Sequence, residues 1–156
     1  MFQPKGIFKL TGLAVVIFYL LFSSIQAIDV TYCDKKGNYK VKVHGVEIIP
    51  DPVVTGQPAT FKVSAFSAQA IPGGKVVIDV SYFGVHVHQE DHDLCEELSC
   101  PVAEGDFVLS HTQTLPGFTP PGSYKLKMTV EDKNNKMLSC FSFNFKISFG
   151  SLASDS

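Results

Sequence analysis

The fold is decided by the stretch YKLKMTVEDKNNKMLSCFSFNFKISF, residues 124–149. Apolar side chains occupy every second position in both of its halves, which is the pattern of a β-strand that buries one face. The polar run at 132–136, rich in Asp and Asn, has the composition of a turn. The stretch therefore predicts a β-hairpin with two inward rows: Tyr124, Leu126, Met128 and Val130 on one strand, and Phe141, Phe143, Phe145, Ile147 and Phe149 on the other.

The same period of two recurs upstream, between turns that contain Gly and Pro. The further inward rows are Phe61, Val63 and Ala65, then Val76, Ile78, Val80 and Tyr82, then Phe107, Leu109 and His111. No amphipathic helix is expected after Ala27. Seven or eight short strands of this kind predict an all-β, two-sheet sandwich of immunoglobulin-like architecture.

The first 27 residues have the composition of a secretory signal peptide. Lys5 and Lys9 precede an apolar run at 10–22, and small residues follow up to Ala27. The run is too short to span a bilayer, which needs about 20 apolar residues. We therefore expect a signal peptide at 1–27, one domain at 28–149, a polar tail at 150–156 and a destination in the secretory pathway, extracellular, vacuolar or in an endomembrane lumen.

Charge excludes one class of partner. The chain has 15 acidic residues against 13 lysines and contains no arginine, for a net charge of −2. Proteins that bind nucleic acid carry basic stripes and arginine forks. No nucleic-acid partner is expected.

The four cysteines are Cys33, Cys95, Cys100 and Cys140. An even number in a short exported chain indicates two disulfides, for which three pairings exist. The close spacing of Cys95 and Cys100 suits a clasp across a loop, and Cys33 would then be joined to Cys140. The chain-entropy model gives the long bridge about 4–5 kcal/mol of stabilisation and the short one about 2 kcal/mol.

Two interpretations of the inward rows stay open at this point. The rows can fill a solid core, or they can line a cavity between the sheets, because both arrangements give the same alternation.

The segment HVHQEDH, residues 86–92, concentrates histidines and acidic residues. His86, His88 and His92, together with the acids near them, could form a metal site, but a solvated, pH-responsive strand edge is the preferred interpretation. The chain contains no Gly-x-Ser-x-Gly motif. Neither a metal, a cofactor nor an enzymatic activity is expected.

The order of several further motifs carries a family resemblance. Cys100-Pro-Val102, Leu115-Pro116, the turn Phe118-Thr-Pro-Pro-Gly122 and Cys140 in an aromatic strand follow one another at family spacing. The chain resembles the ML lipid-recognition family, which includes the Niemann–Pick-type secreted sterol carrier. Residues 84–95 are most similar to the plant branch, whose fungal relatives are described as phosphatidylglycerol/phosphatidylinositol transfer proteins.

The resemblance implies a lipid cavity between the two sheets. It also implies a mouth between 85–91 and 116–121, with Phe118 as the side chain that would gate it. The residues expected to contact lipid are Phe61, Val63, Ile78, Val80, Tyr82, Phe107, Leu109, Phe118, Pro121, Tyr124, Leu126, Met128, Phe141, Phe143 and Phe145.

Two departures from the family pattern affect the expected ligand. The third disulfide that is common in the family has no counterpart, and the mouth segment at 86–92 is polar. A polar mouth leaves room for a phospholipid headgroup as well as for a sterol. The expected function is that of a monomeric carrier of a sterol or phospholipid with transient membrane contact. The alternative is an interaction module with a protein partner in trafficking or signalling.

Overall fold

The computed structural model of the chain describes residues 14–15 and 28–150. Its strands are β1 (Thr31–Tyr32), β2 (Val41–Ile49), β3 (Val53–Val54), β4 (Pro58–Ser67), β5 (Gly74–Tyr82), β6 (Val85–Asp93), β7 (Gly105–Thr114), β8 (Gly122–Asp132) and β9 (Met137–Ser148). A short helix, α1 (Leu94–Glu97), lies between β6 and β7. The all-β prediction is confirmed, although the expectation of no helix missed α1.

The strands form two sheets. The larger sheet has the order β1-β9-β8-β5-β6, with the short strand β3 paired in parallel to β9. The smaller sheet has the order β2-β4-β7. Among the described strands, β6 pairs only with β5 and β7 only with β4, so each of them forms an outer edge of its sheet.

The predicted hairpin is formed by β8 and β9, which pair antiparallel with Met128 opposite Phe141. Asp132 organises its turn, because the carboxylate accepts hydrogen bonds from the backbone N–H groups of Asn134 at 2.8 Å and Lys136 at 2.9 Å. Asn135 adopts a positive φ of 62°, which Asn tolerates better than most residues. The turn chemistry of this segment thus fixes the register of the two longest strands.

The inward rows meet between the sheets. Val76, Met128 and Phe141 of the larger sheet are almost fully buried, as are Val63 and Ala65 of the smaller one. Lysines at the intervening positions of β8 are exposed. Burial of apolar surface stabilises by about 25 cal/mol per Å², so the alternation selects the face that turns inward.

The cysteines pair as Cys33–Cys140 and Cys95–Cys100, the pairing expected from their spacing. The first bridge ties the segment after β1 to β9. The second closes the loop that begins with α1, whose first turn is capped by Asp93, since its carboxylate accepts the N–H of Cys95 at 2.8 Å.

One residue of the predicted inward rows is misplaced. Phe149 was expected to face the core, but it is 60% exposed. The strand ends at Ser148, and the N–H of Gly150 donates to the hydroxyl of Thr55 at 3.1 Å, so the chain has left the sheet at this point.

The predicted signal peptide and polar tail lie outside the described residues, apart from Ala14, Val15 and Gly150. Within the described part of the chain, no helix is long and apolar enough to cross a membrane.

Candidate functional site

The interior between the sheets holds most of the residues predicted to contact lipid. Those that are buried there are Phe61, Val63, Ile78, Leu109, Tyr124, Leu126, Met128, Phe141, Phe143 and Phe145. Val80, Tyr82 and Phe107 are half-buried and pack against this core. The structure thus brings together residues of β4, β5, β7, β8 and β9, which makes the interior a continuous apolar surface.

Aromatic rings meet in the middle of this interior. The ring of Phe61 lies 6.3 Å from that of Phe143 and 5.4 Å from that of Phe145, centroid to centroid. Since Phe61 belongs to the smaller sheet and the other two to the larger, these contacts join the two sheets. A ligand that enters between the sheets must displace or rotate these rings.

Two tyrosines form one end of the interior. The rings of Tyr82 and Tyr124 stack with centroids 4.4 Å apart, and Tyr124 also stacks on Phe145 at 5.7 Å. Tyr124 donates its hydroxyl hydrogen bond to the carbonyl of Pro120 at 2.8 Å, and Tyr82 donates to that of Pro121 at 3.0 Å. Desolvation by burial, together with the neighbouring Tyr82, raises the pKa of Tyr124 above its usual value. The tyrosines therefore fasten the loop at 116–121 to the end of the sandwich.

Exposed apolar side chains gather beyond these tyrosines. Phe83 and Gly84 form the two-residue turn between β5 and β6, with positive φ values of 51° and 77°. Tight hairpin turns of this kind usually carry Asn or Gly, so a bulky Phe at such a φ is unusual. It leaves Phe83 83% exposed, and Phe118 in the neighbouring loop is 87% exposed. Neither Phe118 nor Pro121 lines the interior, and the gating role of Phe118 stays a prediction.

Two concavities lie at the surface of the sandwich. One, of about 340 Å³, lies at the smaller sheet, where it is lined by His44, Ser64, Ala65, Asp106, Phe107 and Val108. The other, of about 280 Å³, adjoins the turn at Phe83 and is lined by Ser81, Gly84, Ser123, Tyr124, Lys125 and Asn144 as well. Both volumes are near the low end of those of ligand pockets, about 300 to 1,000 Å³.

The histidines of β6 do not form the cluster that the sequence suggested. A bulge between Val80 and Ser81 places His86 opposite Ser81, on the outer face, where its ring bonds to Asp79. His88 and His92 lie opposite inward residues of β5 and therefore face the other way. An unbroken period of two would place His86 and His88 on the same face, and the bulge puts them on opposite faces instead.

The strand edge is solvated at His86 and His88, whose side chains are 53% and 51% exposed, as expected. His92 differs, because its side chain is only 25% exposed and lies beside His111 of β7, with ring centroids 5.0 Å apart. His111 was not among the predicted site residues. Its position in the inward row of Phe107 and Leu109 was the sequence signal that could have marked it.

The chain is similar in sequence to a known protein family and to named proteins of that family. A family model described as "ML domain" matches residues 27–147. A Dictyostelium discoideum protein named "putative phosphatidylglycerol/phosphatidylinositol transfer protein" is 31% identical over 137 residues, which cover 85% of this chain and 94% of that one. The phosphatidylglycerol/phosphatidylinositol transfer protein of Aspergillus fumigatus is 27% identical, with coverage of 70% and 66%.

Solved structures share the fold at low identity. A Niemann-Pick type C2 protein from the Japanese carpenter ant aligns with a TM-score of 0.61 and 14% identity, over 77% of this chain and 99% of that one. Chicken MD-1 complexed with lipid IVa aligns with a TM-score of 0.54 and 18% identity, over 75% and 86%. The two-sheet architecture, together with the family match over most of the chain, leads to one conclusion: this chain belongs to the ML domain family.

Proposed function

We propose that this protein binds a lipid between its two sheets and transfers it between membranes. The observation that carries the proposal is the continuous apolar interior formed by β4, β5, β7, β8 and β9 in a chain whose relatives are named phospholipid transfer proteins. Two acyl chains would remove several hundred square ångströms of apolar surface from water, and about 25 cal/mol per Å² makes that burial strongly favourable. Polar chemistry is needed only at the mouth.

The ligand class follows from the relatives and from the mouth. The names of the relatives, phosphatidylglycerol/phosphatidylinositol transfer proteins, favour a phospholipid as the ligand. The fold alone is equally compatible with a sterol. We place the mouth at the end formed by Tyr82, Tyr124 and the loop at 116–121, because only there do exposed aromatic side chains adjoin the buried row among the described residues.

Transient membrane contact is proposed for the same end. Phe83, Val85 and Phe118 are the exposed apolar side chains there, and Lys125 lies beside Phe83 in the 280 Å³ concavity. Aromatic side chains partition into the interfacial region of a bilayer, and a lysine nearby attracts anionic headgroups. We further propose that the protein works in the secretory lumen or outside the cell, where its two disulfides persist.

One observation favours a second candidate. Phe61, Phe143 and Phe145 are in mutual contact across the sheets, as in a solid core. A solid sandwich would serve as an interaction module that binds a protein partner at its surface and transfers nothing.

A paired experiment separates the two candidates. Protein purified from its native source would be extracted with organic solvent, and the extract analysed by mass spectrometry for lipid relative to protein. In parallel, transfer of fluorescent phosphatidylglycerol and of a fluorescent sterol between vesicles would be measured for wild type, Met128→Glu and Ser110→Glu. Both variants add one negative charge to the sandwich, but Met128 is 1% exposed, whereas Ser110 faces solvent on β7, outside the concavity that contains Phe83 and Lys125.

A carrier brings close to one lipid per protein and transfers at least one probe, and Met128→Glu abolishes that transfer while Ser110→Glu preserves it. A wild-type protein without lipid and without transfer of either probe, together with a Met128→Glu variant that unfolds, contradicts the carrier and supports the interaction module. Circular dichroism of both variants supplies the folding control.

The protein is further proposed not to be an enzyme. The described histidine rings contact Asp, Glu and Gln side chains, an arrangement different from a serine–histidine pair poised for hydrolysis. Incubation with phospholipid and p-nitrophenyl esters should release no product above background. Hydrolysis that persists through repurification and scales with protein concentration contradicts this proposal.

A further inference from the structure

Four side chains meet where the outer edges of the two sheets approach each other. This edge cluster consists of Glu90 and His92 on β6, Glu97 on α1 and His111 on β7. Their side chains are 12–25% exposed, so they are shielded from bulk water but reachable by a small ion. The cluster lies on strand faces away from His86, at the margin of the apolar interior, where His111 is the cross-strand neighbour of Phe61.

Three of these residues converge on one point. The Nε2 atom of His92 lies 3.4 Å from Oε2 of Glu90, and the Nε2 atom of His111 lies 3.6 Å from Oε1 of Glu90. One donor atom from each of the three residues falls within 4.8 Å of the other two. The carboxylate thus sits between two imidazoles.

Two of these atoms lack the partners that buried polar atoms normally have. Oε1 of Glu90 and Nε2 of His92 are both buried, and neither finds a hydrogen-bond partner among the described residues. The contact between His92 and Glu90 is close enough for an ion pair but is not aligned as a hydrogen bond. Both atoms therefore have an unused bonding position, and both belong to the residues whose donor atoms lie within 4.8 Å of one another.

His111 is held in the orientation that a metal ligand requires. Its Nδ1–H donates to Oε1 of Glu97 at 3.0 Å, which directs Nε2 toward Glu90. Metal-binding histidines commonly donate their second ring nitrogen to a carboxylate in this way, which fixes the tautomer. Oε1 of Gln113 lies 3.3 Å from the same Nε2 and can accept a hydrogen bond from it when that nitrogen carries a proton, and metal binding would replace that proton and that contact.

We propose that Glu90, His92 and His111 form a binding site for a divalent transition metal, Zn²⁺ in particular, with Glu97 as a positioning residue. In a tetrahedral zinc site the metal–ligand distances of about 2.0–2.1 Å place neighbouring donor atoms about 3.3 Å apart. The separations of 3.4 Å to Oε2 and 3.6 Å to Oε1 of Glu90 are near that value, and one donor atom from each of the three residues lies within 4.8 Å of the other two, so small side-chain rotations would complete the site. A fourth ligand position stays open to water.

The donor set selects the kind of metal. Two imidazole nitrogens and one carboxylate suit zinc, cobalt, nickel and copper, whereas Ca²⁺ and Mg²⁺ prefer sites made wholly of oxygen. The site also joins an edge strand of one sheet to an edge strand of the other. A bound ion would act as a clamp between the sheets, at a place remote in sequence from the disulfide Cys33–Cys140.

The test uses full-length mature protein with intact disulfides and no affinity tag. Zinc chloride is titrated calorimetrically, and cobalt chloride is titrated while the visible absorption of the ion is recorded. We expect one equivalent of each metal, the intense visible bands of four-coordinate cobalt, and loss of the cobalt bands when zinc is added. Ca²⁺ and Mg²⁺ in excess should leave the cobalt spectrum unchanged.

Variants locate the ion. His92→Gln and His111→Gln should each abolish the four-coordinate cobalt spectrum, and Glu97→Gln should weaken zinc binding about 10- to 100-fold while the spectrum is retained at saturation. His86→Gln is the matched control, since His86 lies on the same strand but on its outer face. It should bind zinc as wild type does.

Two results would overturn the site. If wild-type protein takes up neither metal at micromolar concentration, the edge cluster is a set of ion pairs and not a metal site. Metal uptake that survives in His92→Gln and disappears in His86→Gln shows that the ion binds at the outer face instead. If His111→Gln fails to fold, His92→Gln still tests the site. His92 is the most exposed member of the cluster, so its replacement should leave the fold intact.

Discussion

The ring of Phe61 meets the ring of Phe145 edge to face, with centroids 5.4 Å apart and planes at 82°, and this contact spans the two sheets. Such T-shaped pairs are favourable beyond the area they bury. The pair therefore helps to hold the two sheets together in the middle of the interior.

Phe61→Ala should destabilise lipid-stripped protein by about 3–5 kcal/mol, because it removes a ring that is 7% exposed and leaves a cavity. Urea denaturation measures the loss. Phe66→Ala, on the outer face of the same strand and 38% exposed, is the control and should cost less than about 1 kcal/mol. Equal losses for the two variants would show that the inward row of β4 is not part of a packed interior.

The two disulfides should differ in their effect on stability. In the chain-entropy model the bridge Cys33–Cys140, with a sequence separation of 107, stabilises by about 4–5 kcal/mol, and Cys95–Cys100, with a separation of 5, by about 2 kcal/mol. Paired Cys→Ser variants of each bridge, compared by urea denaturation, test the difference. Peptide mapping of unreduced protein checks the pairing itself, and a peptide joining Cys33 to Cys95 or Cys100 would contradict it.

Membrane affinity should depend on the exposed aromatic residues. Phe118→Ser should weaken co-sedimentation with anionic vesicles about tenfold, the effect of losing somewhat over 1 kcal/mol of apolar burial. Phe83→Ser should act similarly, and both should leave the melting temperature almost unchanged. Val108→Ser provides the comparison, since Val108 is 53% exposed on the outer face of the smaller sheet. A loss of vesicle binding as large for Val108→Ser would contradict a localised membrane contact.

Stability should fall at alkaline pH through Tyr124. Burial raises the pKa of this phenol in the folded protein above the unfolded value of about 10, so the folded state holds the proton more tightly. Its contribution is complete below pH 10 and is lost as the pH rises through the folded pKa. The unfolding free energy of wild type should therefore decrease above about pH 10, and Tyr124→Phe should decrease less steeply. Parallel pH profiles of the two proteins would contradict the assignment.

The inward rows were predictable because alternation is a local property. On β8 the lysines between Tyr124, Leu126 and Met128 leave only one face that can be buried, whatever the partner strand. The sequence therefore predicted which side chains enter the interior. It did not predict whether that interior opens, since the contact of Phe61 with Phe143 depends on how the two sheets approach.

The edge cluster could not be predicted from local sequence patterns, because it depends on a bulge and on which strands become neighbours. A single bulge at Val80 and Ser81 reverses the face on which His86 lies, and hairpin pairing decides where it falls. His111 meets His92 only because β6 and β7 are the neighbouring outer strands of different sheets. Glu97 joins them through a helix that the sequence did not reveal.

The polar inward side chains of β6 have a consequence for self-association. A nine-residue outer strand offers free backbone groups to any other extended chain, which is how edge-to-edge aggregation and fibril growth begin. In β6, His88, Glu90 and His92 occupy the inward positions, and a bulge interrupts the strand. A foreign strand that paired there would have to take these polar side chains away from water, at a cost of several kcal/mol. The strand can thus remain uncovered without serving as a template for the growth of a fibril.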